Sequence, residues 1–221
     1  MDFNNNGPIA REGYPFIVFT LALALLLVVS LVFLGSLVLA IPAVLSVLVS
    51  AFVISFFRNP ERVPPNDPAA VVAPADGTVI VNEVVQESPL GCAALKISIF
   101  MSVFNVHVNR SPFDGKVTEI SYCQGRFFDA RDGRASFENE RNAVVLETPG
   151  GVKIAFVQIA GLIARRIICY PRVGDLLQRG GRYGLIRFGS RVDVFLPADV
   201  ISQVRLGDLT VAGETVLGHL G

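Results

Sequence analysis

From Pro15 to Phe57 the chain runs for 43 residues without one charged side chain. No other feature restricts the fold so strongly. A bilayer core about 30 Å thick takes ~20 residues of helix, so the run is long enough for two crossings. Gly35-Ser36 divides it at a natural turn into residues 16–34 and 37–57, with Pro42 near the start of the second segment. Arg11 precedes the pair, Arg58 and Arg62 follow it, and the connecting turn is uncharged. By the positive-inside bias both ends face the cytoplasm, which puts the rest of the chain on the inner face of the cell membrane. A removable signal peptide is not expected, because no small-residue cleavage site follows a short apolar core.

Around this run the chain divides into a polar tail, 1–14, a linker with four prolines, 58–68, and a region from 69 to 221. Proline excludes helix from the linker. The last region reads as short alternating strands at 71–73, 78–85, 94–100, 105–109, 115–121, 143–148, 152–158, 191–196 and 209–211. Gly150-Gly151 marks a hairpin turn, and 159–169 fits either a short helix or a further strand. The expected fold class is mainly β: a compact β barrel or sandwich catalytic domain behind an amino-terminal transmembrane helical hairpin.

Composition narrows the function. Net charge is zero, which leaves no bulk electrostatic basis for a nucleic-acid partner. Cys92, Cys123 and Cys169 are widely spaced and there are only two histidines, so no metal site is expected and the cysteines read as buried free thiols. Of the 19 basic residues 16 are arginine, the side chain best shaped for phosphate and carboxylate.

Three stretches could carry chemistry. The first is the turn at Asp76-Gly77; taken alone it is an ordinary Asp-Gly turn. The second carries His107, and a lone strand histidine is more often a satisfied polar group than a base. The third lies in 185–195, whose alternation predicts one half-buried strand, with Ile186, Phe188, Ser190, Val192 and Val194 on one side and Arg187, Gly189, Arg191, Asp193 and Phe195 on the other. A glycine inside a strand marks a bulge or a close backbone approach. At a Gly-Ser step the serine hydroxyl can also attack the preceding carbonyl and convert the amide to an ester. Asp, His and Ser together are the set that activates a hydroxyl: His takes the proton, Asp fixes its tautomer.

Val72-Ala-Pro-Ala-Asp-Gly-Thr78, Asn105-Val-His-Val-Asn-Arg110, Asn139-Glu-Arg-Asn142 and Arg187-Phe-Gly-Ser-Arg191 resemble, in that order, the motifs of phosphatidylserine decarboxylases, above all the short membrane-anchored bacterial and archaeal form. The resemblance extends over nearly the whole chain. It implies a self-processing zymogen in which Ser190 attacks the Gly189 carbonyl and the ester then undergoes β-elimination. Chains 1–189 and 190–221 would remain as partners, with Ser190 converted to a pyruvoyl cofactor; neither a metal nor pyridoxal phosphate is implied. His107 matches the processing histidine and Asp76 its acidic partner. The pyruvoyl ketone would then condense with the amine of membrane phosphatidylserine and take up the electrons left by CO2, giving phosphatidylethanolamine. Longer bacterial enzymes carry a second histidine where this chain has Phe104, so the proton donor falls to His107 or a water it holds. Arg165, Arg166, Arg187 and Arg191, with Arg179 and Arg182, are candidates for the lipid phosphate. A homo-oligomer is left open.

Three alternatives carry different expectations. A serine hydrolase needs glycines two positions either side of its nucleophile; here these are Phe188 and Val192. A non-catalytic β-barrel binding module tethered to the membrane would stay uncleaved. A pyruvoyl decarboxylase for another amino-acid headgroup would cleave in the same way.

Overall fold

A computed structural model describes residues 7–162, 166–187 and 189–221. It falls into two units, Asn5–Glu61 and Arg62–Gly221.

In the first unit, helix α1 (Tyr14–Leu34) has Pro15 in its opening turn and ends at Gly35, which takes a left-handed φ of 60°. A short 3-10 turn leads into α2 (Ala40–Phe56). The two helices lie antiparallel and their outer ends are tied together: Ala10 N–H donates to the Phe57 carbonyl at 2.8 Å and Asn59 N–H to that of Pro8 at 2.7 Å. Phe16 stacks on Phe57. The Ser46 and Ser50 hydroxyls donate to carbonyls within α2, which satisfies them without water. Leu25, Phe33 and Leu37 are exposed, and both helices are long and apolar enough to cross a membrane.

The second unit is mainly β. Its strands are β1 (Ala70–Val72), β2 (Gly77–Val85), β3 (Ala94–Met101), β4 (Val108–Arg110), β5 (Gly115–Cys123), β6 (Arg141–Glu147), β7 (Lys153–Ala160), β8 (Arg166–Cys169), β9 (Leu176–Leu177), β10 (Arg182–Arg187), β11 (Ser190–Pro197), β12 (Leu209–Thr210) and β13 (Val216–His219). A curled antiparallel sheet runs β12-β2-β3-β11-β7-β6-β5-β9; a three-stranded sheet runs β4-β10-β8, and β1 pairs with β13. The hairpin turn expected at Gly150-Gly151 joins β6 to β7; Thr148 N–H bonds to the Val152 carbonyl and Gly151 N–H to that of Thr148, so the loop spans residues 149–151.

Strand β11 holds the centre. It pairs with β3 along its whole length and with β7 along most of it. Val192, Val194 and Leu196 pack with Ile97, Ile99, Val144, Leu146 and Phe156 in the main core. Each such side chain contributes roughly 1.5–3 kcal/mol on burial. Tyr183 and Ile186 of β10 join that core, with the Tyr183 ring edge-on to Phe156 at 4.7 Å. The other face of β11 is also buried. There Arg191 pairs with Asp193 (Nε–Oδ1 2.8 Å), Lys96 approaches Asp193 at 3.3 Å, and Arg191 also donates to the Ala130 carbonyl and to Ser136.

Two readings of the sequence are corrected here. Residues 185–195 are not one half-buried strand. Gly189 takes a φ of 71°, a region open to glycine at no steric cost, and the chain turns there from β10 in one sheet to β11 in the other. The charges on β11 are buried as an ion pair. Cys92 is exposed, and Cys123 and Cys169 are only partly buried, although all three are free. Of the stretch 159–169, the first part extends β7 and the last forms β8, while 163–165 lie outside the described residues.

Candidate active site

Ser190 opens β11, fully buried, with its hydroxyl 3.4 Å from the Met101 sulfur. A thioether is a weak acceptor, so little holds the hydroxyl in that rotamer. Immediately before it, the Gly189 N–H points at His107 Nε2, 3.4 Å away.

His107 lies in the loop that leads into β4 and is fully buried. The loop is shaped by Asn105. Its side-chain oxygen accepts from the Ser102 N–H and hydroxyl, both at 2.8 Å, and its N–H donates to the Ser102 carbonyl. That turn presents the Asn105 carbonyl to His107 Nδ1 at 3.0 Å. A carbonyl can only accept, so the proton is assigned to Nδ1 and the lone pair to Nε2. The lone pair therefore faces the Gly189 N–H, one peptide before the Gly189-Ser190 bond.

Asp76 sits nine-tenths buried between β1 and β2. One carboxylate oxygen accepts from the Ala212 N–H at 2.7 Å; the other pairs with Arg62 at 3.2 Å. The acceptor seen on His107 Nδ1 is thus a backbone carbonyl, and the Asp76 oxygens serve the linker and the turn before β13. The two stretches are still neighbours, because the Arg110 N–H donates to the Pro74 carbonyl and that of Val72 to Pro112.

The motif at 139–142 has a job that its residue types did not announce. The buried Asn139 amide donates to the carbonyls of Phe128 and Ala160, and its oxygen accepts from the Phe128 N–H. With the Ala160 N–H on the Glu140 carbonyl, this fixes the end of β7 directly across from Ser190.

The arginines separate into two groups. Arg191 is 1% exposed and its guanidinium is occupied by Asp193, Ser136 and the Ala130 carbonyl. Arg187 and Arg166 stand directly opposite one another on β10 and β8, two residues from the Gly189 step. Arg179 donates to the carbonyls of Pro65, Asp67 and Ala70 and so pins the linker. Arg165 lies outside the described residues. Phe104 is exposed, and His219 pairs with Asp67 at 2.9 Å. Burial pushes the Cys169 thiol up to about 11. No cluster of three or more His, Cys, Asp or Glu able to hold a metal occurs among the described residues.

Met101, the Asn105 carbonyl and the clamp by Asn139 were not legible as site elements, since the sequence gives a strand-end methionine and a main-chain oxygen no distinguishing mark.

A sequence profile of phosphatidylserine decarboxylases matches residues 49–218. The chain belongs to the phosphatidylserine decarboxylase family. Curated relatives extend the match to nearly its full length. The phosphatidylserine decarboxylase proenzyme of Pelobacter propionicus is 62% identical over 99% of this chain and 99% of its own. Those of Trichlorobacter lovleyi and Geobacter sulfurreducens are 58% and 54% identical, each over 98% of this chain and 99% of theirs. All three names denote a proenzyme, and the membership accounts for the order of the four motifs along this chain.

Proposed function

We propose that this decarboxylase is made as a precursor, cleaves itself between Gly189 and Ser190, and then converts phosphatidylserine to phosphatidylethanolamine and CO2. The observation that carries this reading is His107 Nε2 held 3.4 Å from the Gly189 nitrogen, in the residue next to the buried Ser190.

Ser190 Oγ attacks the Gly189 carbonyl carbon and passes its proton to His107 Nε2. As the C–N bond breaks, His107 returns that proton to the Ser190 nitrogen and an ester remains. Removal of the Ser190 Cα proton then breaks the Oγ–Cβ bond and frees the Gly189 carboxylate. One water enters, one ammonia leaves, and residue 190 becomes a pyruvoyl group. The fit is good: a serine on a weak acceptor, a base of fixed tautomer, and a buried site that protects the ester from stray hydrolysis.

When formed, the pyruvoyl carbonyl supplies a sink for the electrons released with CO2. Around it, His107 holds the proton that the product carbon needs. Arg166 and Arg187, opposite one another on β8 and β10, offer a place for the lipid phosphate, because two guanidinium groups on neighbouring strands can donate to one phosphate together. Arg165 belongs with this group by sequence. Arg191 instead supports β11 from behind, and Asp76 anchors the turn whose Pro74 carbonyl locates β4. The two cleaved chains stay together because β11 lies between β3 and β7. The helical pair anchors the chain in the inner membrane, with Arg11 and Arg58 on the cytoplasmic side.

The test is headgroup conversion: purified protein is mixed with phosphatidylserine vesicles, and CO2 and phosphatidylethanolamine are measured. Stoichiometric release of both supports the reading; conversion of neither phosphatidylserine nor lyso-phosphatidylserine contradicts it.

A further inference from the structure

We infer that Gly161 is the seat of the scissile carbonyl. A β-carbon built on Gly161 would lie 2.4 Å from the Gly189 oxygen and 3.2 Å from its carbon. Any side chain at 161 therefore collides with the bond to be cleaved. The direction of the neighbouring peptide adds a second function. The Ala160 carbonyl is held by Asn139 Nδ2 at 2.8 Å and the Ala160 N–H by the Glu140 carbonyl, both on the β6 side. Every described peptide is trans, and in a trans peptide the N–H points opposite to the C=O. The Gly161 N–H is thus turned toward β11, the side on which the Gly189 oxygen rests. When Ser190 Oγ adds to the Gly189 carbon, that oxygen takes on negative charge and swings outward. Gly161 gives it room and a donor, while Asn139 keeps that donor from rotating away. The inference rests on self-cleavage at 189/190 and names the part of the chain that stabilises its first intermediate.

The experiment follows precursor and fragments by denaturing mass spectrometry during expression and after purification. Gly161→Ala keeps the N–H but its β-carbon drives the Gly189 carbonyl away from it, and should slow processing by roughly 100-fold or more, as when an oxyanion donor is lost. The Ser190→Ala/Gly161→Ala precursor should still unfold cooperatively. Asn139→Ala frees the same peptide without adding an atom and should slow processing about 10-fold or more. It decides the matter if the alanine at 161 prevents folding. Either folded variant maturing at the parental rate overturns the role of Gly161, while normal parental cleavage leaves the wider reading standing. If the parent itself never cleaves, the failure lies in the self-processing reading.

Discussion

The Gly189 N–H and His107 Nε2 face each other across 3.4 Å, with the imidazole tautomer set from behind by the Asn105 carbonyl. The imidazole is thereby held against the residue that precedes a buried serine. His107→Ala should leave folded precursor that matures at least ~100-fold more slowly, in line with the loss of a general base. Gel analysis of fragment appearance checks this, and prompt maturation would remove His107 from the role.

Ser190→Ala removes the only atom able to make the ester. The variant should remain a single chain, fold as the parent does and release no CO2 from phosphatidylserine. Cleavage at its normal position would sink the mechanism.

Behind the serine, Asp193 pairs with both Arg191 and Lys96 in a buried network. Removing one partner of such a network strands the remaining charges, which costs about 3–5 kcal/mol. Asp193→Ala in the Ser190→Ala background should lose that much in urea unfolding. A change below about 1 kcal/mol would show that the network does not support β11.

The cysteines should separate by reactivity. Cys92 is exposed, whereas burial raises the Cys169 thiol to about 11. At pH 8 that leaves roughly a thousandth of Cys169 as the reactive thiolate. Maleimide should therefore modify Cys92 first and Cys169 last, as peptide mapping would reveal; equal rates would contradict the packing around β8.

The helical pair was legible because an uncharged run has few places to go, and Gly35 ended the first helix as glycine does. Strand alternation located most of the sheet. The break between β10 and β11 was hidden because side-chain alternation continues through Gly189 while the backbone changes sheet. Arg191 and Asp193 resembled a solvent face, since nothing in a strand pattern shows that two charges two residues apart will bury each other. Asp76, His107 and Ser190 were visible as residue types and by motif order. The carbonyl of Asn105, the backbone of Gly161 and the partners of Asp76 were not, because they depend on which loops the topology brings together.

Intact mass under denaturing conditions separates cleaved protein from precursor. Self-cleavage at 189/190 yields two species, residues 1–189 ending in a free carboxylate and residues 190–221 beginning with a pyruvoyl group. A single chain of 221 residues, persisting in protein that is folded and membrane-bound, would contradict it.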